Sequence, residues 1–411
     1  MSCETASRNA TEPTPGIAPG GEDLDPRAIA ADIGRTGVHP HLPATIPGMD
    51  APFYQAGLAG YSDAAMRIIA RRHGCPLCVT EALLDRTLLA GGRGFAKADL
   101  GELHDNVPGG EDDHPLVGQI MGSDPGEMAA AAIKMVEQGS RRPKEYRKLA
   151  EGGELAIEHI SESSFQAIDI NLACPVKKIA KKARGGHWLA EPEGAIEILK
   201  AVRDALPESM PVTLKIRRSF DDTPEMARNF MRIFDAAYDM GYAWATVHAR
   251  TVQQKYVGPS RWDLLRDIVQ QRPGRVVFGS GDIWKVDDIF RMIGYTGVAG
   301  VSVARGCIGN PWIFRQARAM MAGDEPRPPT IAEQRQVLED HFELALRVNA
   351  HTRDPEHHTG KTMRKFAIRF AQHHPQGDEV RKRFIGVKGL EDWRGVLGEW
   401  YATEIPVESA N

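Results

Sequence analysis

Apolar and small residues occur in short runs, and each run is followed by a stretch whose apolar positions recur every three or four residues. The runs predict strands over 53–58, 77–81, 115–121, 166–171, 211–217, 244–248, 275–280 and 299–304. The stretches DAAMRIIARRHG, PGEMAAAAIKMVEQ, PEGAIEILKAVRDAL, PEMARNFMRIFDAAYDMG, RWDLLRDIVQQ and VDDIFRMIG predict amphipathic helices, several opened by Asp or Pro. Eight strands alternating with helices imply a parallel sheet, most simply closed as a (β/α)8 TIM barrel in the α/β class. No GxGxxG follows the first strand, which counts against a doubly wound open sheet.

The pattern changes at both ends. Residues 1–45 are rich in Pro, Gly, Thr and Ala and read as a flexible N-terminal tail. The barrel then occupies 46–326. Within it, residues about 139–165 exceed what a barrel connection needs and read as a solvated surface insertion. After PRPPT, read as a hinge, strands cease and residues 327–411 predict a separate C-terminal helical domain.

Composition narrows the class. With 411 residues and 42% hydrophobic content the chain can bury a sizeable core. No apolar run reaches the ~18 residues that span a membrane, and the acidic N-terminal stretch is no secretory signal. Five cysteines without regular spacing suit a reducing compartment, so a cytoplasmic protein is expected. Cys75 and Cys78 form a lone CxxC, which favours packing over a metal site. The net charge of −4 gives no global sign of nucleic-acid binding, which would need local basic patches.

In such barrels the chemistry lies at the C-terminal strand ends. Here those ends carry Gln119, Asn171 and Cys174, Lys215 and Arg217, His248 and Arg250, Gly281 and Asp282, and Arg305. The segments GSGD and VARGCIGNP set tight-turn glycines beside Arg305, a combination suited to a phosphate. A phosphate site, a Lys, a Gln and a His together suit FMN, whose anionic reduced ring is stabilised by a cation at its N1/O2 edge.

The ordered set AGLAGYSDAAMR, TEALL, GQIMGSDP, DINLACPVKKIAKKARGG, VTLKIR, VHARTVQQKYVGPSRWD, GSGDI and ARGCIGNPWIF resembles the tRNA-dihydrouridine synthase family over about residues 53–320. The segment MRKFAIRF is similar to that family's helical RNA-binding domain. The resemblance implies an FMN-dependent oxidoreductase that reduces uridine in tRNA to 5,6-dihydrouridine, with NADPH reducing the flavin. It assigns Ala56, Gly57, Leu58, Gln119, Lys215 and His248 to the flavin ring. Ser280, Gly281, Asp282, Ala304 and Arg305 fall to the ribityl and phosphate end. Asn171 is expected to position the uracil, and Cys174 to act as general acid toward C5. Arg250 and Tyr256 border the substrate pocket. Lys177 and Lys178, with Arg364 and Lys365 of the helical domain, are expected to meet the tRNA. Gly57, Leu58, Ala173, Ser280 and the pair His187-Trp188 depart from the family's usual residues. A monomer without metal or membrane attachment is expected. Two alternatives remain at this stage: an FMN barrel acting on another RNA or a small pyrimidine or enone, and an RNA-binding protein that has lost catalysis.

Overall fold

The structure, a computed structural model, describes residues 20–89, 110–153, 157, 160, 165–176 and 184–402. Nine parallel strands are present among them: β1 Phe53–Gln55, β2 Cys78–Val79, β3 Leu83–Leu84, β4 Leu116–Met121, β5 Ala167–Leu172, β6 Val212–Arg217, β7 Ala245–His248, β8 Val277–Ser280 and β9 Gly300–Val303. β2 pairs with β4 (Cys78 opposite Leu116) and β1 with β9 (Phe53 opposite Val301), so eight strands close on themselves. The expected barrel is therefore present. The ninth strand, β3, was not expected; it is a two-residue addition beside the end of β4. Every residue of β4 and β5 is buried, as parallel strands wrapped by helices require.

The helices run in order α1 Pro26–Thr36, α2 His41–Thr45, α3 Ala64–Arg72, α4 Asp85–Leu89, α5 Pro125–Val136, α6 Pro143–Ala150, α7 Pro192–Ala205, α8 Pro224–Asp239, α9 Trp262–Gln271, α10 Val286–Thr296, α11 Trp312–Met321, α12 Ile331–Val348, α13 Pro355–Phe370, α14 Gly377–Ile385 and α15 Leu390–Trp400. Several begin on a side-chain cap. Asp63 accepts from Met66 N at 2.8 Å and Asp124 from Glu127 N at 2.8 Å, each contributing about 1 kcal/mol.

The flexible tail expected over 1–45 is corrected for its second half. Asp25 caps α1, which lies on α10 and α11 with Ala30 buried. α2 then stoppers the N-terminal end of the barrel. Leu42, Ile46 and Met49 form a second apolar cluster with Tyr54, Val79, Val117, Trp244 and Phe278. Residues 1–19 lie outside the described residues.

The insertion is also less solvated than expected. Tyr146 of α6 is fully buried, and its hydroxyl donates to Glu137 Oε2 at 3.0 Å. The buried Lys134 lies over its ring at 5.4 Å. Local charge made the segment look solvated, but α6 buries one face against α5.

The helical domain shares one core with the barrel. The Trp312 and Phe370 rings are 5.5 Å apart, and those of Tyr61 and Phe366 also 5.5 Å. The expected hinge is pinned rather than loose. Thr330 and Glu333 form a capping box at the start of α12, and Glu333 also pairs with Arg315 and Arg327 at 2.8 Å each.

Candidate functional site

β5 places Asp169 and Asn171 two residues apart, so both face the barrel interior. Asp169 Oδ1 accepts from Thr213 Oγ1 at 2.6 Å and Oδ2 from Gln119 Nε2 at 2.7 Å. Gln119 Oε1 in turn accepts from Asn171 Nδ2 at 2.7 Å. Asn171 Oδ1 receives the backbone N–H groups of Ala173 at 2.9 Å and Cys174 at 3.1 Å. A continuous hydrogen-bond chain thus runs from β6 through β5 and β4 to the backbone of Cys174. Burial raises the Asp169 carboxyl above its usual range, against the pull of Thr213, Gln119 and Lys215.

Register sets the cationic side of the site. Asn171 lies opposite Lys215, Arg217 opposite His248, and His248 opposite Ser280. Burial pushes the Lys215 ammonium down to about 8, with Arg217 adding to the shift and Asp169 opposing it. His248 is held well below the usual imidazole range, first by burial and then by Arg217, Lys215, Arg250 and Arg305. It is therefore neutral near pH 7. Its Nδ1 accepts from Arg250 N at 3.2 Å, which puts its proton on Nε2.

Arg217, almost fully buried, ties the loops around the mouth together. Its Nε donates to Ala173 O and its Nη1 to Thr251 O and Lys255 O, each at 2.8 Å. Tyr256, 49% exposed, covers both Arg217 (5.5 Å) and Arg305 (5.2 Å) at the rim. Arg305 also lies 4.5 Å over the Trp284 ring.

At the β8 end, Gly281 has φ +114°, and a Cβ there would meet Ser260 Oγ at 2.4 Å and His248 Cε1 at 3.3 Å. Asp282 follows with φ +58°. Its carboxylate is held by Arg250 Nη2 at 2.7 Å and Ser260 N at 2.7 Å. Arg250 is thus turned toward Asp282 and Gly258 O.

These features fit FMN. Arg305, the Gly281 turn beside His248, and Arg250 Nη1, Ser260 Oγ and Trp284 Nε1, buried and without a hydrogen-bond partner among the described residues, offer a cation and polar atoms suited to a phosphate. Lys215, opposite Asn171, and Gln119 add a second cation and an amide. Gly57 shapes the floor, since a Cβ on it would meet Thr80 O at 2.2 Å and Gln119 Oε1 at 3.4 Å. Ala56 N donates to Val303 O at 2.8 Å, and Leu58 N to Ser62 Oγ at 2.8 Å, fixing that floor to β9 and to the following loop. Ala304 leads from β9 directly into the turn that carries Arg305.

Not every expected residue converges here. Lys365 donates to Gly60 O and lies over the Tyr61 ring at 5.0 Å, so it ties α13 to the barrel. Arg364 is half-buried, with Nη1 at 3.3 Å from Ile385 O. Lys177 and Lys178 lie outside the described residues. Sequence reasoning passed over Asp169, Thr213 and Thr80, which complete the interior network. The two-residue spacing of Asp169 and Asn171 was the available signal.

The family model for dihydrouridine synthase matches residues 149–392. The tRNA-dihydrouridine synthase B of Shewanella oneidensis is 34% identical over 288 residues, covering 70% of this chain and 77% of that protein. A probable tRNA-dihydrouridine synthase of Treponema pallidum is 32% identical over 287 residues, covering 68% and 73% respectively. Among solved structures, histamine dehydrogenase from Rhizobium sp. 4-9 aligns with TM-score 0.48 and 12% identity over 78% of this chain and 51% of that one, too distant to bear on function. On the family match and the identity to these relatives, the chain belongs to the dihydrouridine synthase family of FMN-dependent oxidoreductases.

Proposed function

We propose that this protein reduces uridine in tRNA to 5,6-dihydrouridine with FMN and NADPH, and that Cys174 is its general acid. The observation that carries the reading is the meeting of Lys215, neutral His248 and the Asn171-held Cys174 backbone at one rim. FMN bound here would supply the hydride for C6 of the uracil, and Lys215 would provide the positive charge that its anionic reduced ring calls for. Asn171 commits one Nδ2 hydrogen to Gln119 and keeps the other for a uracil carbonyl. Cys174 delivers the proton to C5, because a thiol with a reference pKa near ~8.5 is mostly protonated at neutral pH. Arg217, anchored on Ala173 O and electrostatically coupled to Cys174, favours the thiolate left behind.

Uracil must leave its stack to reach this depth, and half-exposed Tyr256 gives a neighbouring base a ring to stack on. The helical domain, fixed on the rim side through Lys365 and Gly60, presents Arg364 to the same substrate. No helix among the described residues is long and apolar enough to cross a membrane. A cytoplasmic monomer completes the reading. The test is mass mapping of tRNA from a deletion strain and its parent. Loss of dihydrouridine at a defined position supports the reading. An unchanged map, in a strain lacking any redundant enzyme, sinks it.

A further inference from the structure

We infer that Asp169 is a positioning residue: its carboxylate fixes which way the Gln119 and Asn171 amides face, and so which donors and acceptors meet the flavin ring and the uracil. This deepens the proposed function and rests on it.

An ionised carboxylate can only accept hydrogen bonds. Both oxygens of Asp169 are used, one by Thr213 Oγ1 at 2.6 Å and the other by Gln119 Nε2 at 2.7 Å. Gln119 must therefore turn its NH2 toward β5 and its Oε1 toward Asn171. That oxygen accepts from Asn171 Nδ2 at 2.7 Å, which leaves Asn171 Oδ1 for the Ala173 and Cys174 N–H groups. The reverse orientation would set a Gln119 oxygen against the carboxylate. It would also set an Asn171 NH2 against two backbone N–H groups. Each amide in the observed orientation keeps one N–H uncommitted to this chain of bonds. Thr80 Oγ1, accepting from Gln119 N at 2.9 Å, keeps the glutamine backbone in place while its amide is oriented.

Asp169 also bears on Lys215, which stands opposite Asn171 in the register and makes no hydrogen bond among the described residues. It is the carboxylate that opposes the effect of burial on this ammonium. The same side chain thus acts on amide orientation and on the charge available to the flavin edge.

The experiment uses full-length, FMN-loaded protein with Asp169→Asn and Thr213→Val. Asn at 169 can present an NH2 to Gln119, so both amides can reverse. The expected result for Asp169→Asn is retained FMN, a KM for tRNA within about twofold, and a kcat lower by roughly 10- to 100-fold, the size of one lost charge-assisted hydrogen bond. At a pH well below 8, where Lys215 stays protonated, the reduction potential of its FMN should move positive, because a negative charge beside Lys215 is gone. Thr213→Val keeps that charge and should lose about two- to tenfold in kcat with no change in potential. Parent kcat and parent potential in Asp169→Asn overturn the assignment. If Asp169→Asn does not accumulate folded, parent kcat in Thr213→Val overturns it. A parent protein that reduces no uridine sinks the functional reading instead, and the potential of Asp169→Asn still decides the role of Asp169.

Discussion

Arg250 Nη2 lies 2.7 Å from both carboxylate oxygens of Asp282, joining the end of β7 to the end of β8 by an ion pair whose side chains are only 4% and 13% exposed. The same guanidinium holds Gly258 O, so it also folds the 250–258 loop back over the site. Tyr256 rides on that loop. One buried pair therefore sets both the β8 turn and the aromatic rim.

Removing one member strands the other charge. Arg250→Met should destabilise the protein by about 3–5 kcal/mol in chemical denaturation, with part recovered in Arg250→Met/Asp282→Asn. A loss below about 1 kcal/mol in the single variant would show that the pair does not hold the turn.

Gly57 stands where its family usually has a larger residue, and the structure gives the reason: the backbone approaches Thr80 O too closely for a Cβ. Gly57→Ala should cost about 1–3 kcal/mol and weaken FMN retention on gel filtration. Full retention at parent stability would mean that the floor yields without strain.

Lys215 gives a pH signature in flavin-free protein. Its folded pKa, about 8, lies below the unfolded value near ~10.4. Between those values the unfolded chain binds the extra proton, so this contribution makes stability rise with pH from about 8 to 10.4. The penalty is fully present below 8. Unfolding curves of Lys215→Met should lack that component, on the order of 1–3 kcal/mol. Parallel pH profiles for parent and variant would contradict it.

His341 of α12 lies 4.6 Å from the Phe366 ring of α13, with both ring nitrogens buried and without a hydrogen-bond partner among the described residues. Burial, helped by Lys365, pushes its pKa down to about 3. The unfolded chain then takes up the proton first as pH falls, so stability drops from about 6.5 toward 3. His341→Leu should add about 1–3 kcal/mol and flatten that acid loss. A less stable variant would reveal a hydrogen bond to this ring.

For Cys174→Ala the expected outcome is a yellow protein whose flavin is still reduced by NADPH but whose uridine reduction falls about 100- to 10,000-fold. Single-turnover oxidation of the reduced enzyme by tRNA separates this from a binding defect. Parent rates there would remove Cys174 from the mechanism.

The eight barrel strands were legible because buried parallel strands are continuous apolar runs, such as HPLVGQI and AIDINLA. The rim residues were legible because they end those runs. α1 and α2 were hidden behind a Pro- and Gly-rich start, since five residues of α2 carry no measurable period. α6 was hidden by its charges, which say nothing of the one buried tyrosine.

The chain by itself determined the eight barrel strands, their order and the polar groups that close them, because those signals are local and periodic. Tertiary structure decided which of those groups touch. Asp169 reads in sequence as one more strand residue, and only the register of β4, β5 and β6 sets it between Gln119 and Thr213. Arg250 reads as a substrate contact, and only the fold turns it onto Asp282. Charge state follows the same rule: Lys215 and His248 acquire theirs from burial and from neighbours on adjacent strands, which proximity in sequence cannot encode.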